Sequence, residues 1–338
     1  MALGMVGLLA LAGCSSKSNT STGATTPAPA TSASPTGTAV SLRAGLNDPT
    51  NKNIAILQYL PGSVTVTAGT TVTWQIAGPE PHSVTFEPNN GPVPAPGSNP
   101  SLFAPTGTAT VPYDGTTLVN SGLIPQGPQP ASFSLAFSKP GTYVYHCVIH
   151  AQMSGTVTVV PAGTTADTQA AISARGDTEL AQWQTEGEAA AKTFASTAAK
   201  STTNANGSKT WTVLMGTSTA HTDILAFSPV SSTVKPGDKV VFENDSAAPH
   251  TATFAGSGTI PQDPESVTAT TAAPGKSPQT LNATGFFNTG TLPPNAPPGA
   301  GPPLVARQYT YTVATAGTFP YVCIYHAGSG MGGAITAS

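Results

Sequence analysis

Between residues 63 and 160, short runs of Val, Thr, Ile, Phe and Tyr alternate with Gly, Pro, Asn and Asp. Runs of this length, bounded by turn residues, predict half-buried strands. The pattern places them at Ser63–Thr67, Thr70–Ile76, Ser83–Phe86, Ala131–Phe137, Thr142–His146 and Gly155–Val160. The same succession returns further along the chain. Many short strands without a long helical period predict an all-β fold with an antiparallel sandwich in each half. Pro- and Gly-rich insertions over 88–130 and 256–304 predict long surface loops.

One segment departs from this pattern. Residues Ala166 to Lys200 are rich in Ala, Glu and Gln and predict a helix, with Gly176 interrupting it and Asp177 serving as the next N-cap. Leu180, Trp183, Ala190 and Phe194 fall on one face, as expected of an amphipathic linker lying on a domain. Ser201 to Ser208 then reads as a flexible exit.

An internal repeat organises the whole. Gly69, Val72, Trp74, Pro81, His82 and Phe86 match Gly237, Val240, Phe242, Pro249, His250 and Phe254 at a constant offset of 168, and Asn120-Ser-Gly matches Asn288-Thr-Gly at the same offset. The second copy then lengthens, so that Cys147 corresponds to Cys323. The implied organisation is a first domain over 38–162, a helical linker over 163–208 and a second domain over 209–338.

Charged residues make up only 8% of the 338 positions and the net charge is −3. Clustered Lys and Arg are therefore absent, and no nucleic-acid partner is expected. The first 14 residues form an apolar stretch ending in Leu11-Ala-Gly-Cys14, which resembles the lipobox of bacterial lipoproteins. That resemblance implies a signal over 1–14, cleavage before Cys14, lipidation of that cysteine and an extracytoplasmic, membrane-anchored protein. No Lys or Arg precedes the stretch, which points to a start codon further upstream. Residues 15–37, almost entirely Ser, Thr, Ala and Pro, predict a disordered tether.

Past the leader only two cysteines remain, one in each half, so no disulfide framework is available. Each opens the same kind of loop: Cys147-Val-Ile-His150-Ala-Gln-Met153 and Cys323-Ile-Tyr-His326-Ala-Gly-Ser-Gly-Met331. A thiolate with imidazoles and a distant thioether is the donor set of a trigonal copper site. The second imidazole of each site is expected from the Pro-His turns at His82 and His250. Zinc could use the cysteines and histidines, but closed zinc sites seldom include Met.

With these ligands in place the chain resembles the cupredoxin family of blue copper proteins. The Tyr-His-Cys-x-x-His-x-x-Met run is similar to amicyanin, and His-Ala-Gly-Ser-Gly-Met to plastocyanin and pseudoazurin. The resemblance implies two tandem Greek-key β-sandwich domains, each with one type 1 copper, that carry single electrons and have no enzymatic turnover. His82, Cys147, His150 and Met153 would hold the first ion, and His250, Cys323, His326 and Met331 the second. It further implies redox partner proteins docking near His150 and His326.

The chain departs from the family in two respects. Ile149 and Tyr325 stand where a Pro often precedes the loop histidine, leaving backbone N–H groups that could reach the cysteine sulfur. Ser83 and Thr251 replace the family's Asn after the first histidine, and their hydroxyls are expected to fasten the neighbouring loop less firmly.

The remaining imidazoles limit other chemistry. His146 occupies the position at which copper nitrite reductases bind a second copper, but Glu87 stands where those enzymes have another histidine. His221 is expected to be exposed. Without His-x-His pairs a trinuclear oxidase cluster is excluded. Copper storage or delivery is the alternative to electron transfer, and a nitrite-reductase-like enzyme is a weaker one.

Overall fold

The computed structural model describes residues 38–94, 98–107, 112–124, 131–150, 152–261, 279–294 and 307–338. The predicted signal, Cys14 and the tether lie outside them. The first half carries β1 (Ala39–Asn47), β2 (Ile54–Leu60), β3 (Ser63–Thr67), β4 (Thr71–Ile76), β5 (Thr85–Phe86), β6 (Val119–Asn120), β7 (Ser132–Ala136), β8 (Gly141–His146) and β9 (Ser154–Val160). Helix α1 (Gln169–Ala195) follows. The second half carries β10 (Lys200–Thr203), β11 (Lys209–Ser218), β12 (Thr222–Ser228), β13 (Ser231–Val234), β14 (Lys239–Asn244), β15 (Thr253–Phe254), β16 (Gln279–Leu281), β17 (Phe287–Asn288), β18 (Gln308–Val313), β19 (Gly317–Val322) and β20 (Gly332–Ala337).

The predicted pair of Greek-key β-sandwiches is present. In the first, β2-β1-β4-β7 faces β3-β9-β8-β5-β6; in the second, β12-β11-β14-β18-β16 faces β13-β20-β19-β15-β17. Alternating apolar positions close each sandwich. Trp74, Phe86, Phe137 and Tyr145 form the centre of one core, and Phe242, Phe254, Tyr311 and Tyr321 the centre of the other.

The halves are not beads on a linker. Residues 37–338 form one compact unit, in which β2 pairs antiparallel with β12 and makes the two inner sheets one. The register sets Ile54 against Ile224, Ala55 against Asp223 and Ile56 against Thr222. Ala55 and Asp223 are themselves equivalent at the offset of 168, so the paired strands are the same strand of the repeat meeting itself. The two halves are therefore related by a local two-fold axis, as in an isologous dimer interface.

This pairing explains a strand that alternation does not reveal. Every residue of β2 is buried. Ala55 and Leu57 face a sandwich core, while Ile54, Ile56 and Leu60 pack under α1 with Trp183 and Phe194. Burial on both faces removes the period-2 signal.

Helix α1 corrects two expectations. It runs unbroken through Gly176, and its N-cap is Thr168, whose hydroxyl accepts from the Ala171 N–H at 3.2 Å, not Asp177. Asp177 instead pairs with Arg43 at 2.7 Å. Gly176 and Gly187 let the helix close onto β2: a Cβ would stand 3.0 Å from the Leu60 carbonyl carbon at the first and 2.4 Å from Ile54 Cγ2 at the second. The expected flexible exit is also ordered, with β10 pairing with β11. Among the described residues no helix is long and apolar enough to cross a membrane.

Candidate metal centres

The fold brings each predicted triad together. His82 Nδ1 lies 3.1 Å from His150 Nδ1, and Cys147 Sγ lies 3.5 Å from His150 Nδ1. In the second half His250 Nδ1 lies 3.1 Å from His326 Nδ1, and Cys323 Sγ is 3.3 Å from His326 Nδ1 and 3.7 Å from His250 Nδ1. Donors at about 2.0–2.3 Å from one ion, at angles of about 100–120°, would stand about 3.1–3.7 Å apart. The residues present therefore fit a metal of that size, with a sulfur that suits copper.

Each loop closes back on itself. The Cys147 N–H donates to the Met153 carbonyl at 3.0 Å, and the Cys323 N–H to that of Met331 at 3.0 Å. Both methionines are fully buried. The second loop is two residues longer, and a short 3₁₀ turn at Ala327–Ser329, ended by Gly330 at φ +87°, takes up the difference.

A hydrogen-bond net unforeseen in the sequence pins the loops to the upstream histidines. The Ser83 hydroxyl accepts from the Val148 N–H at 2.9 Å and meets Thr85 Oγ1 at 3.0 Å. Thr85 in turn donates to Asn120 at 2.8 Å. Thr251, Thr253 and Asn288 form the equivalent net, with the Ile324 N–H donating to Thr251 at 2.9 Å and Asn288 Nδ2 donating to Thr253 Oγ1 at 3.0 Å. The hydroxyls thus fasten the neighbouring loop directly. The Ser83 and Thr251 N–H groups each donate to a cysteine sulfur at 3.4 Å. The repeated Asn-Ser/Thr-Gly triplets were the available signal for this net.

Two glycines also went unnoticed. β1 and β11 each carry a bulge, where Gly45 (φ +62°) and Gly216 (φ +72°) lie against the outer edges of His82 and His250. A Cβ would stand 1.9 Å from His82 Nε2 and 2.6 Å from His250 Nε2. Only glycine combines that backbone with that approach. Ser246 further holds His250, Oγ to Nε2 at 2.7 Å.

The electrostatics match a cation cavity. Burial pushes both thiols up, but the facing imidazoles outweigh it and hold Cys147 and Cys323 well below the usual thiol range. Burial likewise disfavours charge on His150 and His326, yet the thiolates and Glu80 raise both above an ordinary histidine.

The loop histidines are not surface features. His150 is 2% exposed and His326 5%. Their Nε2 atoms point at one carboxylate of the first half, His326 from the other half: Glu80 Oε2 is 3.4 Å from His150 Nε2, and Glu80 Oε1 is 3.6 Å from His326 Nε2. The edges expected to receive redox partners are thus turned into the interior.

The spare imidazoles lie apart from these groups. His146, at the end of β8, is buried with its Nε2 3.8 Å from Glu87 Oε1. His221 is half-buried rather than exposed, stacked on Trp183 with ring centroids 4.9 Å apart and Nδ1 2.9 Å from Glu186 Oε2. Neither joins a metal-binding group among the described residues.

Residues 48–160 match the model of copper binding proteins of the plastocyanin/azurin family. Plastocyanin A/B of Petroselinum crispum is 30% identical over 114 residues, covering 34% of this chain and 89% of that protein. Among solved structures, a copper(I) amicyanin variant is 21% identical over 36% of this chain and 82% of its own, at a TM-score of 0.24. A mutant fern plastocyanin is 27% identical over 36% of this chain and 100% of its own, at 0.23.

Proposed function

Since the chain belongs to the plastocyanin/azurin family of copper-binding proteins, we propose that it is a one-electron carrier with one type 1 copper in each half. His82, Cys147, His150 and Met153 hold the first ion, and His250, Cys323, His326 and Met331 the second. The observation that carries this reading is the pair of buried His-Cys-His groups with matching donor spacings. Bound copper supplies a reversible one-electron couple.

The protein's own residues do the rest. The Ser83–Thr85–Asn120 net and its counterpart hold the loops so that the donors do not relax between oxidation states. The Gly45 and Gly216 bulges seat the upstream imidazoles, and the buried walls exclude water. Buried ligands also count against metal delivery, which needs donors a recipient can reach. Turnover of nitrite would need a second metal at His146, whose ring faces a carboxylate.

The sequence around Cys14 supports an extracytoplasmic protein held to a membrane through that residue, exchanging electrons with redox proteins. Copper quantification with electron paramagnetic resonance on the purified chain tests the central claim. The expected result is two ions per chain, both with the narrow hyperfine pattern of a copper–thiolate site; a single ion, or a spectrum without thiolate character, would refute it.

A further inference from the structure

Glu80 has no counterpart in the repeat. The offset of 168 places Ala248 at its position, so the second half offers only a methyl group to the seam. Pro79 and Pro81 flank Glu80, locking one φ on each side of a bend at that residue. It is 7% exposed, and its Oε1 has no hydrogen-bond partner, although it points at His326. A buried, unpartnered carboxylate oxygen is costly unless charge nearby compensates it. The groups that face it are the outer edges of two histidines, one from each metal-binding triad, and buried Asp223 of the second half lies near enough to feel its charge.

We propose that Glu80 is a positioning residue shared by both centres, coupling them so that the charge state of one is felt at the other. This rests on the copper-carrier reading above. A carboxylate behind a ligand histidine orients the ring and makes it a stronger donor. Here one carboxylate stands behind two such rings, at ion-pair distances from each that are longer than a good hydrogen bond. Moving towards either ring means leaving the other. When one centre gains positive charge it draws the carboxylate, and the opposite ring loses part of its support. The coupling is therefore negative and reciprocal.

The test uses the full copper-loaded chain. Glu80→Gln keeps the shape and removes the charge, so the reduction potentials of both centres should rise together, because the oxidised state loses a neighbouring anion. A thermodynamic cycle isolates the coupling. The potential of the second centre is measured in the wild type, Cys147→Ser, Glu80→Gln and the double variant. The effect of Cys147→Ser on that centre, expressed as an equilibrium constant, should be about fivefold smaller in the Glu80→Gln background. Additive effects, or a potential shift confined to one centre, would overturn the proposal. The wild type gives an independent reading even where Glu80→Gln folds poorly. In the diamagnetic copper(I) protein, the Nε2–H protons of both His150 and His326 should be slowly exchanging and displaced downfield. Displacement of only one would equally overturn it. Fewer than two copper–thiolate centres would refute the carrier reading itself, whereas two such centres with additive potentials would refute only the coupling.

Discussion

The two halves share a metal-site geometry and differ at the seam. Nδ1–Nδ1 separations of 3.1 Å recur in both, as do the hydroxyl-to-loop bonds of 2.9 Å from Ser83 and Thr251. Across the two-fold axis the matches fail. Glu80 corresponds to Ala248, and Asp223 is the partner of Ala55. Away from the axis, His146 corresponds to Val322 and Ser246 to Gly78. The difference shows which constraints each region obeys. Donor geometry is set within one sandwich and is met twice by the same residues, whereas a self-paired interface juxtaposes equivalent positions, where two equal charges would repel. Each acid at the axis therefore appears on one side only.

The largest expected effect tests the independence of the sites. Cys147→Ser and Cys323→Ser should each remove one thiolate-to-copper band and half of the bound metal, leaving the other half loaded. Absorbance and metal analysis check this, and loss of both bands in either variant would show that the halves do not bind separately. For stability the expectation reverses, because the halves share a sheet under α1. The apoprotein should unfold in one calorimetric transition. Trp183→Ala, which empties the position over Ile56 and Leu60, should cost about 3 kcal/mol, and two separated transitions in the parent chain would break the single-unit picture.

Gly45→Ala and Gly216→Ala sharpen the comparison between centres. Both force a Cβ into a left-handed backbone position against an imidazole, at an expected cost of about 2–3 kcal/mol each. The closer approach at His82 makes Gly45→Ala the more damaging. Denaturant unfolding, with the spectrum of each centre, decides the ranking. Smaller and matched effects are expected from Ser83→Ala and Thr251→Val. Each leaves one loop N–H without its acceptor, costing about 1–2 kcal/mol in either half.

The smallest effect belongs to the segment just before α1, where it meets β3. Burial pushes the Asp167 carboxyl up, but Arg175 at 2.8 Å and the Thr65 N–H at 2.7 Å outweigh it and lower its pKa. A depressed carboxylate contributes stability above its unfolded value near 3.8 and loses it as pH falls through the lower folded value. Asp167→Asn should flatten the acid limb of the stability curve slightly, as read by denaturation between pH 5 and about 2.

The sequence by itself determined the strands with alternating burial, the duplication and the two His-Cys-His groups. Those signals are local: period-2 alternation around Val64 and Val72, and fixed spacings from Cys147 to His150 and from Cys323 to His326. It did not reveal β1 or β2. β2 is apolar on both faces because the partner half and α1 cover it, and a run without alternation carries no mark of the strand it becomes. Gly45 and Gly216 escaped because the turns after their bulges differ in length, giving an offset of 171 rather than 168. Gly176 read as a break because helix propensity is a local quantity, whereas the approach of α1 to Leu60 is not. Tertiary structure alone decided the seam. Nothing near Glu80 in the chain marks it as facing His150 and His326, 70 and 246 residues away; only the pairing of β2 with β12 brings both rings to one carboxylate.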